Sequence, residues 1–229
     1  QTAMGRSFTG RRDAALEPRP FAVDGREFRA FACEGSPAAV VRHGLQVLCA
    51  QRPPDLLVSG INYGENVGTS ISASGTVGAA LEAASLGIPA LAVALQTPPS
   101  AFLDHGEQDW QASEHFLRRF AERMLACRLP FDVDLLKIDV PDEATRDTPW
   151  RLTRLSRQPY VTTHLPDPGP GSRLGDGRVS IHVDAATLEP DSDIHALRVE
   201  RVVAVTPLSL DATSRADFTI IRKALAPTS

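Results

Sequence analysis

The sequence has 229 residues, enough to bury a core of its own. Its 24 Lys and Arg against 28 Asp and Glu leave a formal net charge of -4. The basic residues form no dense run interleaved with aromatics, which argues against a nucleic-acid polymer as the main partner. No apolar stretch approaches the length of a bilayer span and no secretory leader is visible, so a cytoplasmic protein without a membrane partner is expected.

Phe21 to Ala32, broken at Asp24-Gly25, carries the strongest short hairpin signal in the sequence. Ser36-Pro37 then reads as a helix cap and first helical residue, with Val41, Leu45 and Leu48 as the buried stripe. Leu56 to Val58 form a short apolar strand that is expected to stop at Ser59-Gly60. A loop rich in Gly, Asn, Ser and Thr runs from there to Ser74. From Thr76 the period changes, and Val77, Ala80, Leu81 and Ala84 make one stripe of a helix that Gly87 and Pro89 end. Ala90 to Leu95 is a continuous apolar run suited to a parallel strand buried on both faces, so Asp55 to Leu95 reads as one βαβ unit.

Phe116, Leu117, Phe120, Met124 and Cys127 predict a further amphipathic helix, and Leu135 to Val140 a further core strand. Beyond Pro141 the period turns towards two, most clearly at Val179, Ile181 and Val183. Pro166 to Gly177 is too rich in Pro and Gly for an element, and reads as a flexible loop or hairpin tip. It is either a lid or intersubunit arm, or a solvated connection. The expected organisation is an α/β, Rossmann-like parallel-sheet core over residues 1–141. A β-rich extension and C-terminal segment over residues 142–229 belongs to the same domain.

The chemistry points to Ser74-Gly75-Thr76, where loop becomes helix. The first backbone N–H groups there lack intrahelical partners, a glycine permits close approach, and the positive end of the dipole favours phosphate or carboxylate. The alternative is that Ser74 only caps the helix. In an open parallel sheet, ligands sit outside the carboxyl ends of the strands, which is where this loop must lie. Asn62 reads as a turn residue after a strand, with a hard side-chain oxygen. Cys33, Cys49 and Cys127 fit neither a disulfide framework nor a zinc site and are expected to be buried and reduced. The six histidines show no metal-binding spacing. Neither the G-x-G-x-x-G dinucleotide fingerprint between a strand and a helix nor a Walker motif is present.

Ser59-Gly60-Ile61-Asn62, then Gly64, Asn66 and Gly68, then Ser74-Gly75-Thr76-Val77-Gly78-Ala79-Ala80 resemble the signature of the SurE family of survival-protein 5'/3'-nucleotidases. Val23-Asp24-Gly25, Gly35-Ser36-Pro37, and Val205-Thr206-Pro207-Leu208 with Leu210-Asp211 extend the resemblance over nearly the whole chain. It implies a Rossmann-like domain with a C-terminal β extension used in oligomerisation, hence a homodimer or homotetramer. It also implies a divalent-metal-dependent phosphatase, Mg or Mn, acting on nucleoside monophosphates. Carried over residue by residue, Asn62 and Thr2 would ligate the metal, with Ser7 the rival to Thr2. Ser74, Gly75, Thr76 and Asn66 would bind the phosphate and substrate. His195 follows Asp193 in a polar stretch that resembles the family's Asp-x-x-Ala segment, and that resemblance implies a place near the site. The family opens with a strand ending in Asn-Asp-Asp-Gly, whose carboxylates hold the metal. No Asp-Asp pair occurs here, and Ala39 stands where the family commonly carries Asp. The missing segment is expected upstream of Gln1. The alternative is a SurE-like oligomer that binds phosphate or nucleotide without turning it over.

Overall fold

A computed structural model describes residues 4–98 and 106–226. The first described elements are short strands: β1 (Glu17–Arg19), β2 (Ala22–Val23), β3 (Arg26–Glu27) and β4 (Ala30–Ala32). β2 and β3 form the predicted hairpin. Its turn residues Asp24 and Gly25 both have positive φ, 49° and 74°, as a primed two-residue turn requires. Helix α1 (Pro37–Leu48) follows with Pro at its start, as predicted. The Ser36 hydroxyl does not cap it, however, but bridges Ser7 O and Thr9 N.

Strand β5 (Leu57–Tyr63) is longer than the apolar run predicts, because Gly60 lets the chain pass without ending the pairing. Gly60 has φ 114°, its peptide to Ile61 is cis, and a Cβ there would lie 2.3 Å from Val93 O. The register shifts between Ser59 and Asn62, after which pairing with β6 (Ala90–Leu95) resumes. Between them lie a 3₁₀ turn at Gly68–Ala73, which orders a stretch expected to be loop, and α2 (Gly75–Ser85). Helix α3 (Gln111–Ala126) and strand β7 (Leu135–Val140) follow as predicted.

The chain beyond residue 141 is not confined to an extension. β8 (Trp150–Leu152) and β11 (Val203–Leu208) complete the central sheet, whose order is β5-β6-β7-β11-β8. β5, β6 and β7 are parallel, β11 is antiparallel to β7, and β8 is parallel to β11. What stands apart is the hairpin of β9 (Val161–His164) and β10 (Arg178–Ile181), with the Pro/Gly-rich stretch at its tip. A short helix α4 (Asp193–His195) runs into a π-turn at Ala196–Glu200, and α5 (Phe218–Leu225) is the last described helix.

The sheet is the middle of three layers. Leu91, Val93, Ile138, Val140 and Val205 pack on one face against Phe116, Phe120 and Met124 of α3. Ala90, Ala92, Leu135 and Leu208 pack on the other against Val77, Ala80 and Ala83 of α2. Leu81, counted in the predicted stripe, only flanks this second cluster. The cysteines depart from expectation: Cys33 and Cys49 are half-buried and Cys127, just past α3, is exposed, although all three are free. Among the described residues, no helix is long and apolar enough to cross a membrane.

Candidate phosphate-binding site

Strand register decides which side chains meet. Asn62 is paired with Ala94, and Ala94 with Asp139, so these three form one row across β5, β6 and β7. Side chains alternate along a strand. Ala90 and Ala92 face α2, and so, two residues on, does Ala94, with Asn62 and Asp139 beside it. The row lies near the carboxyl ends of the parallel strands, under the segment that leads into α2.

Asn62 donates through Nδ2 to Gly64 O at 2.6 Å and, more weakly, to Tyr63 O at 3.5 Å. Those bonds fix the amide and leave Oδ1 outside any hydrogen bond among the described residues. At the start of α2, Ser74 does cap: its hydroxyl accepts from Val77 N at 3.1 Å. Neither Gly75 N nor Thr76 N meets an acceptor among the described residues, so two free donors remain at the positive end of the helix. α1 lies alongside in the same direction, since Pro37 touches Gly75 and Arg42 reaches Glu82. Two helix starts therefore stand side by side.

The N-terminal loop is held against this corner. Gly5 N donates to Ala73 O at 2.7 Å, and Arg6 and Arg42 converge on Glu82, a wholly buried carboxylate of α2. Gly78 makes the approach possible, because a Cβ there would sit 2.2 Å from Gly5 O. Thr2, expected as a metal ligand, lies outside the described residues. Its rival Ser7 is described, with its hydroxyl buried and without a partner among the described residues, and its carbonyl accepting from Ser36.

Asn66 is buried, and its backbone N–H donates to Asp139 Oδ1 at 2.7 Å. Gly68 N donates to Asp193 Oδ2 at 3.0 Å, and Lys137 Nζ donates to both carboxylates. All three charged side chains are buried. Burial raises the Asp139 pKa to about 6 in spite of Lys137, which holds it down. Burial pulls the Lys137 pKa down, but the two carboxylates outweigh it and the net shift is upward. Sequence reasoning missed this cluster, because Lys137 and Asp139 sit inside a run that reads as a core strand. The feature that could have exposed it is the i, i+2 spacing of two charges in an otherwise apolar strand. His195 is drawn away instead, with Nδ1 3.3 Å from Glu200 Oε1, while its neighbour Asp193 takes the place under the loop.

Asn62 Oδ1 is a hard oxygen that fits one position around a divalent ion. Among the described residues no group of three or more His, Cys, Asp or Glu could hold a metal. The carboxylates of this region are engaged: Asp139 with Lys137 and Asn66, and Glu65 with Tyr160 and Thr97.

A mostly parallel five-stranded α/β sheet between helices, with a helix starting beyond the carboxyl edge of its parallel strands, defines a Rossmann-like protein. The profile of the family "Survival protein SurE" matches residues 1–162, and the chain belongs to that family. It is similar to the protein named 5'-nucleotidase SurE of Thermococcus gammatolerans, 43% identical over 75% of this chain and 64% of that protein. The like-named protein of Methanosarcina acetivorans is 36% identical over 97% of this chain and 85% of its own length. The chain thus spans just under two thirds of the Thermococcus relative. The crystal structure of the SurE protein from Aquifex aeolicus has the same fold, with a TM-score of 0.67 at 23% identity, covering 97% of this chain and 82% of that one.

Proposed function

We propose that this chain is the substrate-binding and phosphate-binding part of a metal-dependent nucleotidase that hydrolyses nucleoside monophosphates to nucleoside and phosphate. The observation that carries the reading is the pair of free amides at Gly75 and Thr76 on the same side of the sheet as Asn62 Oδ1. The names of the relatives support it.

The amides of Gly75 and Thr76 hold two phosphoryl oxygens and are fixed before substrate arrives, so charge developing on those oxygens is stabilised without reorganisation. Ser74 keeps the helix start rigid by capping it. Asn66 and Asn62 bound the pocket from the loop and the strand. A divalent ion, Mg or Mn, would polarise the phosphate and acidify a water. Asn62 Oδ1 and Thr2 would ligate it. A second reading rests on the engagement of Asp139 and Glu65, carboxylates near the site that are already bonded among the described residues: a SurE-like protein that binds phosphate or nucleotide without turnover.

Phosphate release from a panel of nucleoside monophosphates, with and without Mn²⁺, separates the two. It is measured for this chain, for one extended by an Asn-Asp-Asp-Gly strand, and for the extended Asn62→Ala variant. The expected result is slow release by this chain and a joint rise in metal affinity and rate on extension, lost again in Asn62→Ala. Binding of nucleotide without release in all three supports the second reading. For assembly, we propose a homodimer or homotetramer through the β9–β10 hairpin, whose Val161 and Val179 are exposed.

A further inference from the structure

Lys137, Asp139 and Asp193 form a charged cluster where an apolar one would cost less. Burying three charges carries a desolvation penalty that well-packed apolar residues avoid, and removing one partner strands the others. Here the carboxylates do more than pair with the lysine. Asp139 Oδ1 takes the Asn66 amide, and Asp193 takes Gly68 N through Oδ2 and Ser156 N through Oδ1. Asn66 N and Ser156 N lie outside helix and strand, and Gly68 N opens the 3₁₀ turn with no acceptor inside it, so each needs an acceptor brought to it. Gly68 itself is in the left-handed region, φ 57°. A Cβ there would lie 2.9 Å from both Gln158 O and Ile194 Cδ1, so the loop turns tightly against the 156–158 and 193–194 segments.

We infer that Lys137, Asp139 and Asp193 are positioning residues that clamp the Asn66–Gly68 turn by its backbone amides and so set the place of the Gly75–Thr76 phosphate donors. Asp139 shares a row with Asn62, its carboxylate and that of Asp193 each hold one amide of the turn, and the 3₁₀ turn runs directly from Gly68 into the Ser74 cap. Among the described residues Lys137 Nζ donates only to the two carboxylates, and its task is to aim them and offset their charge. The inference rests on the phosphate-binding reading for what the clamp serves, but the clamp itself is read without activity.

The test compares wild type with Asp139→Asn, which is nearly isosteric but loses the charge, and with Met124→Ala. Met124 packs on the opposite face of the sheet, against α3, and serves as a variant destabilised elsewhere. Amide hydrogen exchange is measured over residues 64–73 and over β7, alongside the affinity for inorganic phosphate. In Asp139→Asn, exchange over 64–73 should quicken about tenfold and phosphate affinity fall about tenfold, as expected for losing a hydrogen bond to a charged group. Met124→Ala should lower the melting temperature with neither change. Loop exchange in Asp139→Asn that merely follows melting temperature as Met124→Ala does, or phosphate affinity unchanged despite faster exchange, overturns the clamp. Wild type that binds no phosphate sinks the phosphate-binding reading instead, and the exchange comparison still decides the clamp. Should Asp139→Asn not fold, the wild-type Asn66 amide resonance should move as Asp139 is protonated in acid, and an immobile resonance overturns the proposal.

Discussion

Asn62 and Asp139 stand in one cross-strand row facing α2, with Ala94 alone between them. At two strand spacings they are about 10 Å apart. The segment from Gly64 to Ala73 crosses that gap, held at one end by Asn62 Nδ2 on Gly64 O and farther on by Asp139 on Asn66 N. Ala94 itself is buried between them. Ala94→Leu should therefore overpack the row, at a cost of about 1–3 kcal/mol, and lift the loop. Thermal unfolding together with phosphate affinity checks this. An Ala94→Leu protein with wild-type affinity would mean that the loop does not rest on this row.

Gly78 controls a second contact. A methyl at this position would meet Gly5 O at 2.2 Å and Arg6 N at 2.7 Å. Gly78→Ala raises helix propensity by roughly 1 kcal/mol but expels the N-terminal loop from α2. Exchange protection of the Gly5 amide, now bonded to Ala73 O, should disappear while α2 stays helical. Retained protection would show that the loop is held without this close approach.

Asp139 also sets a pH dependence whose sign can be worked out. Its pKa rises from 3.8 to about 6 on folding, first through burial, with Lys137 opposing and Asp193 adding to the rise. Between those values the native state binds the extra proton, so this group's contribution to stability is greatest at low pH and is lost as pH rises through about 6. Lys137 is shifted upward and keeps its charge throughout that window. Asp139→Asn does not titrate. The stability of wild type relative to Asp139→Asn should therefore increase as pH is lowered from about 7 to about 4. Urea unfolding of both proteins at the two pH values measures it, and a difference that stays constant contradicts the buried carboxyl.

Much of this arrangement is legible in the sequence, because local patterns carry it. Asp24-Gly25 demands positive φ, and the structure places a hairpin there. The apolar stripe from Val77 and the run Ala90 to Leu95 are a helix and strand because their periods allow little else. What escapes is set by partners far along the chain. Gly60 reads as a strand end, yet the chain bulges there and continues pairing, since β6 supplies the register from outside. Lys137 and Asp139 read as incidental charges in a core strand, because the carboxylate that completes them is 56 residues from Lys137. The return of β11 beside β7 likewise depends on antiparallel pairing over a long separation, which period alone cannot place.

Assembly gives an independent check. Val161 and Val179 are exposed on the β9–β10 hairpin, at 41% and 54%, on the same face as Ile181, the cross-strand partner of Val161, which packs near Tyr160. An outward apolar face on a protruding hairpin is a docking edge in the proposed dimer or tetramer. Sedimentation of wild type at micromolar concentration should show an oligomer, and Val161→Lys/Val179→Lys should shift it toward the monomer. A wild-type monomer would contradict the proposed assembly.

If the start of α2 holds phosphate, its unpaired amides feel the anion before any other group does. Titrating inorganic phosphate into ¹⁵N-labelled protein while following the backbone amides tests it most directly. The Gly75 and Thr76 resonances should move first and furthest, saturating together, with smaller shifts at Asn66 and little at β9 or α5. Phosphate that binds while leaving Gly75 and Thr76 unmoved would contradict the placement of the site.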